Sequence, residues 1–225
     1  MTSAALPALL LALAIGGPTA AGCRDDAMLV FDGSGSMAGR GFDQAGPTRI
    51  DEARAALARV LPEVEDRRDI GLVTYGQVAA CGVVLEFPPR PRAARPILAT
   101  LARVDPSGLT PLADAVERGA EALGYRTRPA TVVLVTDGND TCGGRPCARI
   151  ERLAAGAHAL TIHVLGFQVV GDVATAGTGL SGLLPRGEVE ARCMAERTGG
   201  RYALADTMPE LIAALRAVLG CEPVS

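Results

Sequence analysis

Two short apolar runs constrain this chain more than any other feature: Ala27-Met28-Leu29-Val30-Phe31 and Thr131-Val132-Val133-Leu134-Val135. The second is nearly all β-branched or leucine, and uninterrupted runs of that kind belong to strands buried on both faces. Such strands sit in mostly parallel sheets covered by helices on each side. Both runs stop at an acid in a polar loop: Asp32-Gly33-Ser34-Gly35-Ser36 after the first, Asp137-Gly138 after Thr136 in the second. Ligands of open α/β sheets bind beyond the carboxyl ends of the strands, so both acids fall on the face where a ligand is expected.

The rest of the chain alternates in the same way. Further strands are expected at 69–76, 81–87, 159–167 and 201–204, the second of these an antiparallel edge closed by Pro88-Pro89. Thr48-x-x-Asp51 resembles a capping box and starts a helix through about Leu61, with Ile50, Ala53, Leu57 and Val60 inward. Helices follow at 93–104, from Thr110-Pro111 onward with Leu112, Val116, Ala120 and Leu123 buried, and at 145–156 and 188–198. Thr207-x-x-Glu210 caps the last helix, whose stripe is Leu211, Ile212, Leu215, Val218 and Leu219. This pattern predicts one α/β domain over residues 23–225, a doubly wound, mostly parallel six-stranded sheet with helices on both faces. Residues 168–187, rich in Gly, Ala, Thr and Leu, read as an inserted loop.

In an extended loop Asp32, Ser34 and Ser36 alternate and point the same way, while Gly33 and Gly35 let a ligand approach the backbone. Three oxygen groups aimed at one point suit a hard cation. Asp32-x-Ser34-x-Ser36 resembles the first metal-site motif of von Willebrand factor type A domains, the Rossmann-like fold shared with integrin inserted domains. Gly108-Leu109-Thr110-Pro111-Leu112 resembles that family's threonine loop, and the strand ending at Asp137 its final acidic piece. The resemblance covers about residues 25–220. It implies Asp32, Ser34, Ser36, Thr110 and Asp137 as direct or water-mediated ligands of Mg²⁺, with Mn²⁺ or Ca²⁺ as alternatives. It also implies a binding mechanism rather than catalysis: an Asp or Glu of a protein or peptide partner completes the metal shell. Two carboxylates balance a divalent ion, leaving little negative charge to deter that incoming anion. The expected function is therefore a metal-dependent adhesion or scaffolding module. As for the hydroxyl of Thr110, it can also serve as a plain helix cap without giving up a metal.

The runner-up is a hydrolase or phosphotransferase using the same open cation. Against it, the chain has no P-loop pattern, no Gly-x-Ser-x-Gly elbow and no Lys at all, its 22 basic residues all being Arg. No His lies near Ser34 or Ser36 in sequence; Asp43, Asp114 and Asp140 could approach the site, but loop acids of this kind are usually just solvated. A net charge of −3 with no basic block gives nucleic-acid binding no support. Cys142, Cys147, His158 and His163 approximate zinc-finger spacing, but His163 sits in a strand pattern rather than on a helix, which defeats that reading.

Residues 1–22 have the apolar core and small-residue end of a secretory signal peptide. Ala20-Ala21-Gly22-Cys23 also resembles a lipoprotein cleavage box, which would tether the domain to a membrane through Cys23. Export, to the periplasm or the extracellular space, puts the six cysteines under oxidising conditions. Cys142 with Cys147, across a tight loop, is then the first expected disulfide. Cys23 with Cys221 is the second, because the ends of this fold lie close together. Cys81 and Cys193 remain unassigned.

Overall fold

A computed structural model describes residues 25–40, 46–77, 80–169 and 186–220. The expected N-terminal signal segment, Cys23, Cys221, Asp43 and most of the inserted loop lie outside them. Six strands form one sheet in the order β3-β2-β1-β4-β5-β6. They are β1 (Ala27–Asp32), β2 (Ile70–Tyr75), β3 (Val83–Arg90), β4 (Pro129–Thr136), β5 (Ala159–Phe167) and β6 (Tyr202–Ala205). All neighbours are parallel except β2 and β3, which form the antiparallel edge. This edge strand runs through Pro88 and Pro89, beyond the expected stop. Pro lacks an N–H but disrupts only a ladder that needs it, and an outermost strand has a side free of that need.

β1 shows how one strand serves two cores. Ala27, Leu29 and Phe31 face α1 (Arg49–Val64), α2 (Ala94–Leu101) and α6 (Met208–Leu219). Met28 and Val30 face α3 (Leu112–Leu123), α4 (Pro146–Ala155) and α5 (Arg186–Glu196). A continuous apolar run is what a strand buried on both sides requires. All five buried positions expected for α6 are buried, and its capping box forms: Glu210 N–H donates to Thr207 Oγ1, and Thr207 N–H to the Glu210 carboxylate. α1 outruns its expected end by one turn, continuing through Pro62 to Val64. Burial of Leu61 and Val64 outweighs the backbone hydrogen bond that Pro62 removes. Among the described residues no helix is long and apolar enough to cross a membrane.

The chain leaves β1 in one direction for β2 and β3, and in the other for β4, β5 and β6. Carboxyl ends of strands flanking such a reversal open a crevice, here between β1 and β4. Asp32 ends one of those two strands and Asp137 follows the other.

His163 lies on β5, where its Nδ1 accepts the Arg201 N–H at 3.0 Å. Burial, reinforced by the charges of Arg68 and Arg201, lowers its pKa to about 4 from 6.5. An unfolded chain therefore binds a proton between these values that the folded chain refuses. Stability is fully present above pH 6.5 and falls as pH drops toward 4. Relative to His163→Asn, the wild type should lose on the order of 2 kcal/mol across that window. Urea unfolding at pH 7 and pH 4 checks this; parallel losses in both proteins would refute it.

Candidate metal centre

The loop after β1 is not extended throughout. Ser34 is extended, but Gly35–Ala38 then closes a 3-10 turn. The three side chains still converge, because the turn swings Ser36 back over the strand end: its hydroxyl oxygen lies 3.0 Å from that of Ser34. Ser36 also donates to Asp137 Oδ1 at 2.7 Å, joining residues 101 positions apart. Asp32, fully buried, accepts the Ser34 N–H on Oδ1 at 2.8 Å and the Thr136 hydroxyl on Oδ2 at 2.6 Å. Thr136 is held in turn by the Tyr75 hydroxyl, which donates to it at 3.2 Å. The Tyr75 pKa lies well above its ordinary value, through burial first and the charge of Asp32 second.

Gly33 is needed for packing rather than for ligand access. A Cβ there would meet Tyr75 O at 2.7 Å and Val104 Cγ1 at 2.9 Å, because the loop is pressed against the end of β2. Gly35 is the roomier of the two, with nothing nearer than 3.6 Å. Its N–H donates to Gly108 O at 3.2 Å, drawing the 108–110 segment against the serine loop.

Thr110 is buried, but it is not the helix cap. α3 starts at Leu112 after Pro111, with no side-chain cap hydrogen bond from that residue. The cap comes from across the site, where Asp140 Oδ2 accepts the Ala113 N–H at 3.2 Å. Thr110 is instead fixed by its backbone: its N–H donates to Thr141 Oγ1 at 2.8 Å, and its carbonyl accepts the Thr141 N–H at 3.0 Å. Asp140 also accepts from Cys142 N–H and Gly144 N–H, so it clamps its own loop. Asp114 pairs with Arg149 at 3.2 Å. Neither of these acids adds a charge to the Asp32–Asp137 pair.

Arg49, the first residue of α1, went unnoticed in the sequence. It is buried, and its Nη1 donates to Asp137 Oδ2 at 3.3 Å and to Ser36 O at 3.0 Å. A basic residue one position after a cap reads as exposed; only the packing of α1 over the sheet brings it inward. Asp137 feels opposing influences. Burial first, then the charge of Asp32, push its carboxyl up to about 7, against the Ser36 hydrogen bond and Arg49. Two carboxylates forced together out of water have the character of a site built for a cation.

The donor set fits Mg²⁺. It is all oxygen, two carboxylates with hydroxyls, the donor chemistry a hard cation takes, and Ser34, Ser36 and Asp137 are already gathered at 3.0 and 2.7 Å by hydrogen bonds that an ion would replace. No group of three or more His, Cys, Asp or Glu gathers among the described residues, so the hydroxyls are indispensable to such a site.

The expected Cys142–Cys147 disulfide does not form. Cys142 pairs with Cys81, and Cys147 with Cys193. Arg145 takes a left-handed conformation before α4 begins at Pro146, which sets Cys147 in the first turn of a helix packed on α5. Cys142 stays behind in the loop clamped by Asp140, beside the turn that holds Cys81. Both zinc-finger thiols are thereby consumed in disulfides. His163 is spent within β5, where its Nδ1 accepts the Arg201 N–H, and His158 precedes the amino end of β5, at the end of the sheet opposite the donor loops, so neither histidine joins the site.

Comparison with known proteins agrees with this architecture. The uncharacterized protein YwmD of Bacillus subtilis is 28% identical over 199 residues, 81% of this chain and 79% of its own length. An aerotolerance-related membrane protein from Bacteroides fragilis superposes with a TM-score of 0.64 at 18% identity, over 88% of this chain and all of that one. The pilus adhesin SpaC from Lactobacillus rhamnosus GG also gives 0.64, at 14% identity, over 88% of this chain but 30% of its own. Residues 27–139, which carry β1 to β4 and every residue of the donor set, match the von Willebrand factor type A domain, and the chain belongs to that family.

Proposed function

We propose that this domain is an exported protein-binding module of the adhesion or scaffolding kind, dependent on a Mg²⁺-type ion. Asp32, Ser34, Ser36, Thr110 and Asp137 would hold the ion, directly or through water. The observation that carries this reading is the convergence of the Ser34, Ser36 and Asp137 oxygens, 3.0 and 2.7 Å apart, from two loops that meet at the sheet reversal. When bound, the ion supplies an open coordination position for an Asp or Glu carboxylate of the partner. This chain's residues do the rest: Thr136 and Tyr75 orient Asp32, Ser36 orients Asp137, and Thr141 fixes the backbone of Thr110. The disulfides suit an oxidising compartment, in line with export. A pilus adhesin among the structural neighbours is in keeping with a binding role. Hydrolysis gains nothing from the geometry, since His163 lies within β5 and His158 precedes its amino end, so neither joins the serines as a base.

Thermal unfolding tests the metal. After EDTA treatment, adding Mg²⁺ or Mn²⁺ at a hundred times its dissociation constant should add about 2.7 kcal/mol, raising Tm by roughly 5–10 °C. Thr110→Ala should show no comparable shift. A wild type indifferent to every divalent ion would sink the proposal.

A further inference from the structure

Arg49 does more than pack. Its guanidinium lies between the two halves of the donor set, on Asp137 Oδ2 and on the carbonyl of Ser36. The surrounding chain is shaped to admit it: a Cβ at Gly39 would lie 2.6 Å from its Nη1, and Arg49 N–H donates to Gly39 O at 2.8 Å. Its Nε is buried without a hydrogen-bond partner, so the side chain is held on this side of the site by its Nη1 contacts alone. With Asp32 and Asp137 ionised, Arg49 brings the site to −1; a divalent ion then takes it to +1, not to zero. Two consequences follow from Coulomb's law: the divalent ion binds less tightly than two carboxylates alone would hold it, and the loaded site attracts an anion more strongly.

We propose that Arg49 is a built-in counter-cation that trades metal affinity for attraction to the partner's carboxylate. The inference rests on the metal reading above. Calorimetric titration of Mn²⁺ into the disulfide-intact protein tests the first half, with wild type, Arg49→Met and Arg49→Lys compared at equal ionic strength. Arg49→Met should bind Mn²⁺ about tenfold more tightly, and Arg49→Lys within about threefold of wild type. Acetate, the simplest carboxylate, tests the second half through the water-proton relaxation of bound Mn²⁺. It should displace water at several-fold lower concentration in wild type than in Arg49→Met. Opposite shifts of this kind support the proposal, because a merely structural arginine would weaken both. Should Arg49→Met fail to fold, Arg49→Gln, which keeps an N–H for Ser36 O, replaces it. Wild-type binding with unchanged or weaker affinity in the neutral variants overturns the proposal alone. Failure of wild type and variants alike to bind Mn²⁺ overturns it together with the metal reading.

Discussion

Asp32→Asn should raise the stability of the metal-free protein by about 1–2 kcal/mol at pH 7.5 while weakening Mn²⁺ binding at least a hundredfold. Asn has nearly the same shape and keeps most of the local hydrogen bonds. Its carbonyl replaces Oδ1 for the Ser34 N–H, and its amide donates to the Thr136 hydroxyl in place of the long Gly138 N–H contact at 3.3 Å, the Thr136 proton turning toward Gly138 O. What disappears is one of two buried like charges, the second-largest cause of the raised pKa of Asp137. The sign of the pH dependence follows. A folded-state carboxyl raised to about 7 holds its proton where the unfolded chain has lost it, so this group makes stability fall as pH rises from about 4 to about 7. The advantage of Asp32→Asn is therefore greatest at pH 7.5 and shrinks toward pH 5, where Asp137 is already protonated. Guanidinium unfolding of both proteins at the two values measures it. A variant less stable than wild type at pH 7.5 would mean that the two carboxylates do not oppose folding, and the electrostatic account of the site would fail.

The residues that were legible in the sequence are those whose role depends on their neighbours in the chain. Ala27–Phe31 and the run from Thr131 to Val135 announced buried parallel strands because they are almost wholly apolar or β-branched, and such strands fix the class of fold. Asp32, Ser34 and Ser36 converge although their loop turns rather than extends, since a 3-10 turn also returns Ser36 toward Ser34. Roles created by distant segments were hidden. Thr110 carries every local mark of a cap, yet the cap of α3 is Asp140, 27 residues from the N–H it receives. Arg49 is marked as a surface cation by its place after Thr48, and only the seat of α1 on the sheet turns it toward Asp137. The cysteines mislead in the same way: five positions of separation suggest that Cys142 and Cys147 pair, but a helix start lies between them and sends their side chains to different partners.

Those two disulfides should separate stability from binding. Each closes a long loop, with partners 61 and 46 residues apart, so either double serine variant should cost about 2–4 kcal/mol in guanidinium unfolding. Their effects on the metal should differ. Cys81 and Cys142 flank the segment that carries Thr110: Leu109 N–H donates to the carbonyl of Ala80, next to Cys81, and Thr141, next to Cys142, holds the N–H and carbonyl of Thr110. Leu109 itself is exposed, so no burial of its side chain anchors this end of the segment. Without the covalent tie, ordering the three pieces must be supplied by the ion on binding, and affinity falls accordingly. Cys81→Ser/Cys142→Ser should therefore weaken Mn²⁺ binding about tenfold, by calorimetry at a temperature where the variant remains folded. Cys147→Ser/Cys193→Ser, which unties α4 from α5 away from the donor loops, should lose similar stability and keep wild-type affinity within about twofold. Equal losses of affinity in both variants would show that the site responds only to global stability, and that the Thr110 segment needs no local clamp.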